Sequence, residues 1–347
     1  MRNFGIKLQH AMEFSQFSGT PKAFRELLSD RKTSKDQYHR VYFADDIRYA
    51  RLKMMGISPS EAIRPKALPP VINIRMAKGG TGKTTIAGNI ASAFALFGHK
   101  VLAIDGDAQA SLTGLFGIDW ATEELTHVGE LMYRNYRGKP VDIESAIRPI
   151  YQDRMLDLIP SDITLADVDS WLMGATNREA AFKKLLESQI DFFCQYDVIV
   201  IDSAPSTTLL TNTLMLACRK LLTVVWLDGQ SLKAMKVLAS NVAELNRAFA
   251  DQGFHLDVHI IANGFHPSYG PCRDALSTLA STYGDQLNDN IIPHSTSFMR
   301  QIELFKEEKS GPVLEREPNS VGARAIIDLA KSLVKEYEIQ LAGIPIR

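Results

Sequence analysis

The sequence predicts an α/β fold, a mostly parallel, twisted sheet flanked by helices, preceded by a small, mainly helical N-terminal domain. Three observations lead there. From residue 71 onward, short β-rich apolar runs alternate with longer helix-like stretches, and strands separated by helices pair in parallel under cover of those helices. A glycine-rich turn lies between the first such run and the first such helix. A proline-rich break at 64–70, Arg-Pro-Lys-Ala-Leu-Pro-Pro, divides this pattern from what precedes it. Residues 1–68 are therefore read as an extension and residues 69–347 as the main domain.

Taken in order, residues 21–28 carry a short helical pattern, and 41–43 (Val-Tyr-Phe) a small strand. Asp45 and Asp46 then open a helix through Met55, their charges placed where the helix dipole favours them. Residues 1–70 hold 13 Lys/Arg against 7 Asp/Glu, and the remainder 26 against 33. A basic appendage on an acidic body suggests a polyanionic partner for the appendage, with Arg40, Arg48 and Arg51 as candidate contacts. Short helices, a wing and excess Arg/Lys are compatible with a winged helix-turn-helix. A structural or dimerising arm accounts for the same residues, and both readings stay open here.

Beyond the break, strands are expected at 71–76, 101–104, 156–159, 198–201, 221–226, 258–262 and 291–292, with helices at 84–97, 206–218 and 231–250. Residues 320–341 read as a closing helix, with Ala325, Leu329, Leu333 and Tyr337 along its apolar side. Of the 347 residues 45% are hydrophobic and 23% charged, ordinary for a soluble globular protein. No run of about 18 apolar residues is present, so no membrane-spanning helix is expected. The N-terminus lacks the apolar core of a secretory signal. Cys194, Cys218 and Cys272 are isolated and odd in number, which suggests neither a disulfide framework nor a Cys-x-x-Cys metal site. A cytoplasmic location is the expectation.

The chemistry concentrates in Lys78-Gly79-Gly80-Thr81-Gly82-Lys83-Thr84-Thr85, between an expected strand and an expected helix. In that context the backbone N–H groups of a glycine loop cradle phosphates at a helix N-terminus. Lys83 would neutralise the β- and γ-phosphates, and the Thr84 hydroxyl would hold Mg²⁺. Two acidic strand ends support the site. The run 196–202 ends in Asp202, where a carboxylate supports Mg²⁺ through its water shell. The run 101–107 ends in Asp105 and Asp107, at the edge where parallel sheets bind ligands. Asn263 before Gly264 is compatible with an ordinary turn.

These residues resemble the ParA/Soj/MinD group of P-loop ATPases, whose deviant Walker A motif carries an extra signature lysine, matched by Lys78. The segment 105–113, Asp-Gly-Asp-Ala-Gln-Ala-Ser-Leu-Thr, resembles that family's Asp-x-Asp-Pro-Gln-x-Asn/Ser-x-Thr, and 202–206, Asp-Ser-Ala-Pro-Ser, its Asp-Cys-Pro-Pro-Ser. Leu158-Ile159-Pro160-Ser161 and Ile292-Pro293-His294-Ser295 follow in the family's order. The likeness covers about 71–340 and is tightest before Trp226. Ala77 stands where a P-loop commonly begins with Gly, and Ala108 and Ala204 where many relatives carry Pro. None of the three removes a chemical group.

The resemblance implies a P-loop NTPase fold in which two monomers enclose two ATP molecules with Mg²⁺. Lys78 would reach the partner's phosphates, and Asp107 would orient the attacking water. Thr84, Asp105 and Asp202 would hold the metal, and Asn263 and Pro293 would lie near adenine. The isolated cysteines argue against metal-cluster carriers. The C-terminal stretch 338–345 lacks the basic amphipathic face of membrane-bound MinD-like proteins. About 70 residues before the loop, with helix-turn-helix character, resemble the extension of larger plasmid ParA proteins that repress their own operon. The implied function is nucleoid-associated DNA segregation by an ATP-driven homodimer, stimulated by a ParB-type partner. Arg273, Arg300, Lys306 and Lys309 are candidate non-specific DNA contacts. Positioning of a cargo other than DNA is the alternative.

Overall fold

The computed structural model describes residues 2, 4–32, 34–36, 39–58, 66–301 and 310–342. It begins with two helices, α1 (Leu8–Ser15) and α2 (Pro21–Leu27), then an antiparallel hairpin of β1 (Ser34–Asp36) and β2 (His39–Val41), then α3 (Ala44–Met54). The small strand thus ends at Val41 rather than spanning 41–43, because Tyr42 exchanges backbone hydrogen bonds with Ile6 instead. Helix α3 starts where Asp46 accepts a hydrogen bond from Phe43 N, so the acidic pair does open it as expected.

The main sheet has eight strands. In chain order they are β3 (Val71–Ile74), β4 (Val101–Gly106), β5 (Arg148–Pro149), β6 (Leu156–Ile159), β7 (Val198–Ser203), β8 (Lys220–Trp226), β9 (Asp257–Phe265) and β10 (Ile292–Pro293). Their spatial order is β10-β9-β8-β3-β7-β4-β6-β5, all parallel except the edge pair β5–β6. The sheet is the expected one, with that antiparallel edge as an addition. Its β5 is too short for a periodicity to betray it.

Alternate residues of each central strand feed two cores, as a sheet covered on both faces requires. Ile72, Ile74, Val101 and Ala103 join α4 (Lys83–Leu96) and the closing helix Val321–Glu336. Leu102, Ile104, Ile199 and Ile201 join the helices Val128–Tyr136, Ala181–Ser188, Leu209–Met215 and Gly229–Ala248.

The N-terminal unit shares the first of these cores. Phe14, Phe24 and Ile47 are buried with Phe94 and Phe97, and the rings of Phe14 and Phe97 meet edge to face at 5.4 Å. The proline-rich break therefore marks a change in chain chemistry, while packing runs across it. Below α3, Arg48 Nη1 lies 2.6 Å from Asp197 Oδ2, and its other hydrogen bond goes to Gly98 O. Arg51 is buried against Phe97 O and His99. These contacts correct the expectation that the α3 arginines meet DNA phosphate. Arg48 and Arg51 are committed to the main domain, and Arg40 stacks on the Tyr42 ring and donates to Leu28 O.

Candidate functional site

The strand order builds the site. Placing β3 between β7 and β8 brings the loops after β3, β7, β4 and β8 to one sheet edge. The loop after β3 enters α4 through Gly82, at φ 91°, following Gly80 at φ 73°. Both lie in the left-handed region that glycine tolerates. At Gly82 a Cβ would also strike the Asn263 amide, while Gly79 and Gly80 face open space. The Asn263 amide donates to Thr81 O at 2.8 Å, so the end of β9 braces the loop from the side.

Lys83 is buried and turns back along the loop, donating to Lys78 O at 3.2 Å. Burial lowers its proton affinity, and the nearby Asp202 and Asp107 carboxylates work against that fall. Lys78 goes elsewhere. Its ammonium leaves its own loop and meets both oxygens of Asp228, at 2.8 and 3.0 Å, and the Ser231 hydroxyl at 3.2 Å. Asp228 caps the helix Gly229–Ala248 through Ser231 N. Burial raises its carboxyl, but the Lys78 and Ser231 contacts outweigh that and leave it lowered.

Asp105 and Asp202 face each other in register across β4 and β7. Both are buried, yet they differ. Asp105 accepts from Thr113 N, Thr113 Oγ1 and Asp107 N, so its oxygens are spent holding the 107–113 turn. Burial pushes its carboxyl up to about 6. Neither oxygen of Asp202 meets a donor in good hydrogen-bond geometry; burial and the Asp105 charge push its carboxyl up to about 8, against the nearby Thr84 hydroxyl and the Lys83 charge, which favour the ionised form. A buried carboxylate with two orphan oxygens beside a phosphate loop is a site that wants a cation. Thr84 and Thr85 stand half-buried on the first turn of α4, and Asp107 caps its own turn at Gln109 N.

The edge thus gathers Lys78, Gly79, Gly80, Thr81, Gly82, Lys83, Thr84, Thr85, Asp105, Asp107, Asp202 and Asn263, with half-buried Pro293 on β10 beside β9. Asp228 and Ser231 escaped sequence reading, although an Asp-x-x-Ser start to a helix is a legible cap. Thr113, the Asp105 partner, also went unassigned. Of the candidate DNA contacts, Arg273 is exposed and reaches Pro267 O, and Arg300 pairs with Glu317 at 3.3 Å. Lys306 and Lys309 lie outside the described residues. Among the described residues no helix is long and apolar enough to cross a membrane.

Comparison with known proteins accords with this geometry. Residues 70–253 match the family model described as an AAA domain. The cell division protein PomZ of Myxococcus xanthus (strain DK1622) is 31% identical over 250 residues, 72% of this chain and 73% of PomZ. The sporulation initiation inhibitor protein Soj of Bacillus subtilis (strain 168) is 27% identical over 269 residues, 76% of this chain and 97% of Soj. Among solved structures, the cobyrinic acid a,c-diamide synthase of Mycobacterium smegmatis with bound ATP analogue and magnesium superposes with a TM-score of 0.62. It is 22% identical and covers 78% of this chain and 96% of its own, a likeness of fold. With a matched domain, a two-lysine glycine loop and a parallel sheet carrying acidic strand ends, the chain belongs to the ParA/Soj/MinD family of P-loop ATPases.

Proposed function

We propose that this chain is a DNA-segregation ATPase in which ATP, bound with Mg²⁺, closes two copies into a dimer that holds DNA without regard to sequence. A ParB-type centromere-binding partner stimulates slow hydrolysis and release. The observation that carries the reading is the division between the two lysines. Lys83 is folded into its own loop, while Lys78 sits on the rim against Asp228 with its side chain 32% exposed. A cation supplied to the other copy's phosphates makes dimerisation depend on nucleotide charge and offsets charge in the transition state.

The residues fit Mg²⁺-ATP, because Asp202 has orphan oxygens and the Gly79–Gly80 backbone faces open space. Bound Mg²⁺ supplies charge neutralisation for the phosphates. Asp202 and the Thr84 hydroxyl are assigned to hold it, with Asp105 behind them. Lys83 and the backbone of 79–85 bind phosphate, Asp107 orients the attacking water, and Asn263 and Pro293 stand toward adenine. Among relatives, the chromosome partitioning protein ParA of Caulobacter vibrioides is 26% identical over 269 residues, which supports DNA as the cargo.

A second reading, positioning of a cargo other than DNA, draws support from the relative named as a cell division protein. DNA binding measured with ATP, with ADP and across a salt series separates the two. The partition reading expects ATP-dependent binding to arbitrary duplex that weakens steeply with salt. Equal and negligible binding with both nucleotides would overturn it and leave the other cargo.

A further inference from the structure

Arg75 follows β3 directly, three residues before Lys78, and its backbone N–H donates to Leu222 O at 2.9 Å. Its side chain is fully buried. One guanidinium nitrogen lies against Met215 Sδ, and the other donates to Thr207 Oγ1 at 2.9 Å and to Ser206 O at 3.3 Å. Nε has no partner, and among the described residues no carboxylate forms an ion pair with Arg75. Burial alone lowers the guanidinium to about 10.

A buried cation without a counter-ion is expensive, and an apolar side chain of similar volume usually stabilises such a position. Packing therefore gives no reason for an arginine here, whereas its contacts do. Ser206 and Thr207 belong to the turn that follows Asp202 on β7 and leads into the helix Leu209–Met215. The helix that the turn enters is held at its first residues, where Asp169 accepts hydrogen bonds from Leu209 N and Leu210 N. Arg75 thus ties the strand that ends in the phosphate loop to the turn that follows the candidate metal carboxylate.

We infer that Arg75 is a positioning residue for hydrolysis, fixing the 203–208 turn relative to the strand that leads into the phosphate loop. The inference rests on the ATPase reading above.

The test uses the full chain with Arg75→Met, Arg75→Lys and Thr207→Ala, followed by thermal unfolding, ADP affinity and ATP turnover with kcat and KM separated. Arg75→Met is expected to unfold at or above the wild-type temperature while kcat falls roughly tenfold to a hundredfold, the usual consequence of slightly misplaced reacting groups. Arg75→Lys should recover part of that loss. Thr207→Ala, which leaves the buried charge in place, should lower kcat with ADP affinity unchanged, and it keeps the idea testable if Arg75→Met fails to fold. Wild-type kcat in both Arg75→Lys and Thr207→Ala overturns the inference, as does a large loss of stability in Arg75→Met with kcat intact. A wild-type chain without ATP turnover instead overturns the ATPase reading, and the inference with it.

Discussion

Lys78 and Lys83 are five residues apart and meet different fates, so their alanine variants should differ. Lys83→Ala removes the buried counter-charge of the loop and should abolish nucleotide binding. Lys78→Ala should keep binding and lose ATP-dependent dimerisation or hydrolysis, since its ammonium rests on Asp228 rather than in the cradle. Asp107→Ala should bind ATP, dimerise and stall, because water orientation fails while phosphate contacts survive. Nucleotide titration paired with sedimentation and turnover checks all three, and identical behaviour of the lysine variants would contradict a role across the dimer. Asp202 supports a second prediction. Its carboxyl is raised to about 8 in the nucleotide-free fold, above its unfolded value, so its favourable contribution is complete at low pH and fades as pH climbs toward 8. Asp202→Asn should therefore unfold at a higher temperature than wild type near pH 8 in chelator, with the gap closing near pH 4. It should also weaken Mg²⁺-dependent ATP binding. A variant less stable than wild type at pH 8 would refute the account of an unpaired buried charge.

Among the elements, α3 decides what the N-terminal unit is. Its basic residues read as a nucleic-acid face in sequence, but they grip the C-terminal end of α4 and the start of β7. Asp197 is fully buried and collects Arg48, Lys100 N and Ala342 N, which joins the N-terminal unit, two strands' approaches and the chain's last described turn. Arg48→Ala removes the 2.6 Å ion pair from that buried carboxylate, and the expected loss is on the order of 3 kcal/mol. Denaturant unfolding of the full chain measures it, and a change within about 0.5 kcal/mol, the range of ordinary surface substitutions, would mean the pair is incidental. For the same reason, starting the chain near Pro69 exposes Phe94 and Phe97 and should cost solubility before it tells anything about DNA. If the unit meets an operator, α2 is a candidate element, with exposed Lys22 and Arg25 following a turn and preceding the β1–β2 hairpin.

For the molecule as a whole, the proposed partition role needs DNA contact from a chain of net charge −1. Sequence-independent binding must then come from local clusters that a dimer assembles, and its salt slope reports how many phosphates are met. Lys22→Glu with Arg25→Glu should erase a footprint on the chain's own upstream region while leaving ATP-dependent binding to arbitrary DNA and its slope unchanged. A footprint that survives would favour the reading of residues 1–68 as a dimerising arm.

The phosphate loop, Lys83 and the acidic ends of β4 and β7 were legible in the residues alone, because their chemistry is contiguous. A glycine turn between an apolar run and a helix announces itself within a dozen positions, and Asp202 closes a run that can only be a buried strand. The helices expected at 84–97, 231–250 and 320–341 were legible for the same reason, with the start at 231 falling two residues late because Asp228 caps Gly229–Ala248, whereas Gly270–Tyr283 went unread. What the tertiary structure decided are pairings between distant residues. Lys78 finds Asp228 and Arg75 finds Thr207 across 150 and 132 positions, because the sheet sets β3 between β8 and β7 in defiance of chain order. The arginines of α3 turned inward because buried Asp197 and open helix carbonyls at Phe97 and Gly98 outcompete solvent for them. No local pattern encodes such a choice, since charge composition states that a cation exists and only packing states which anion it meets.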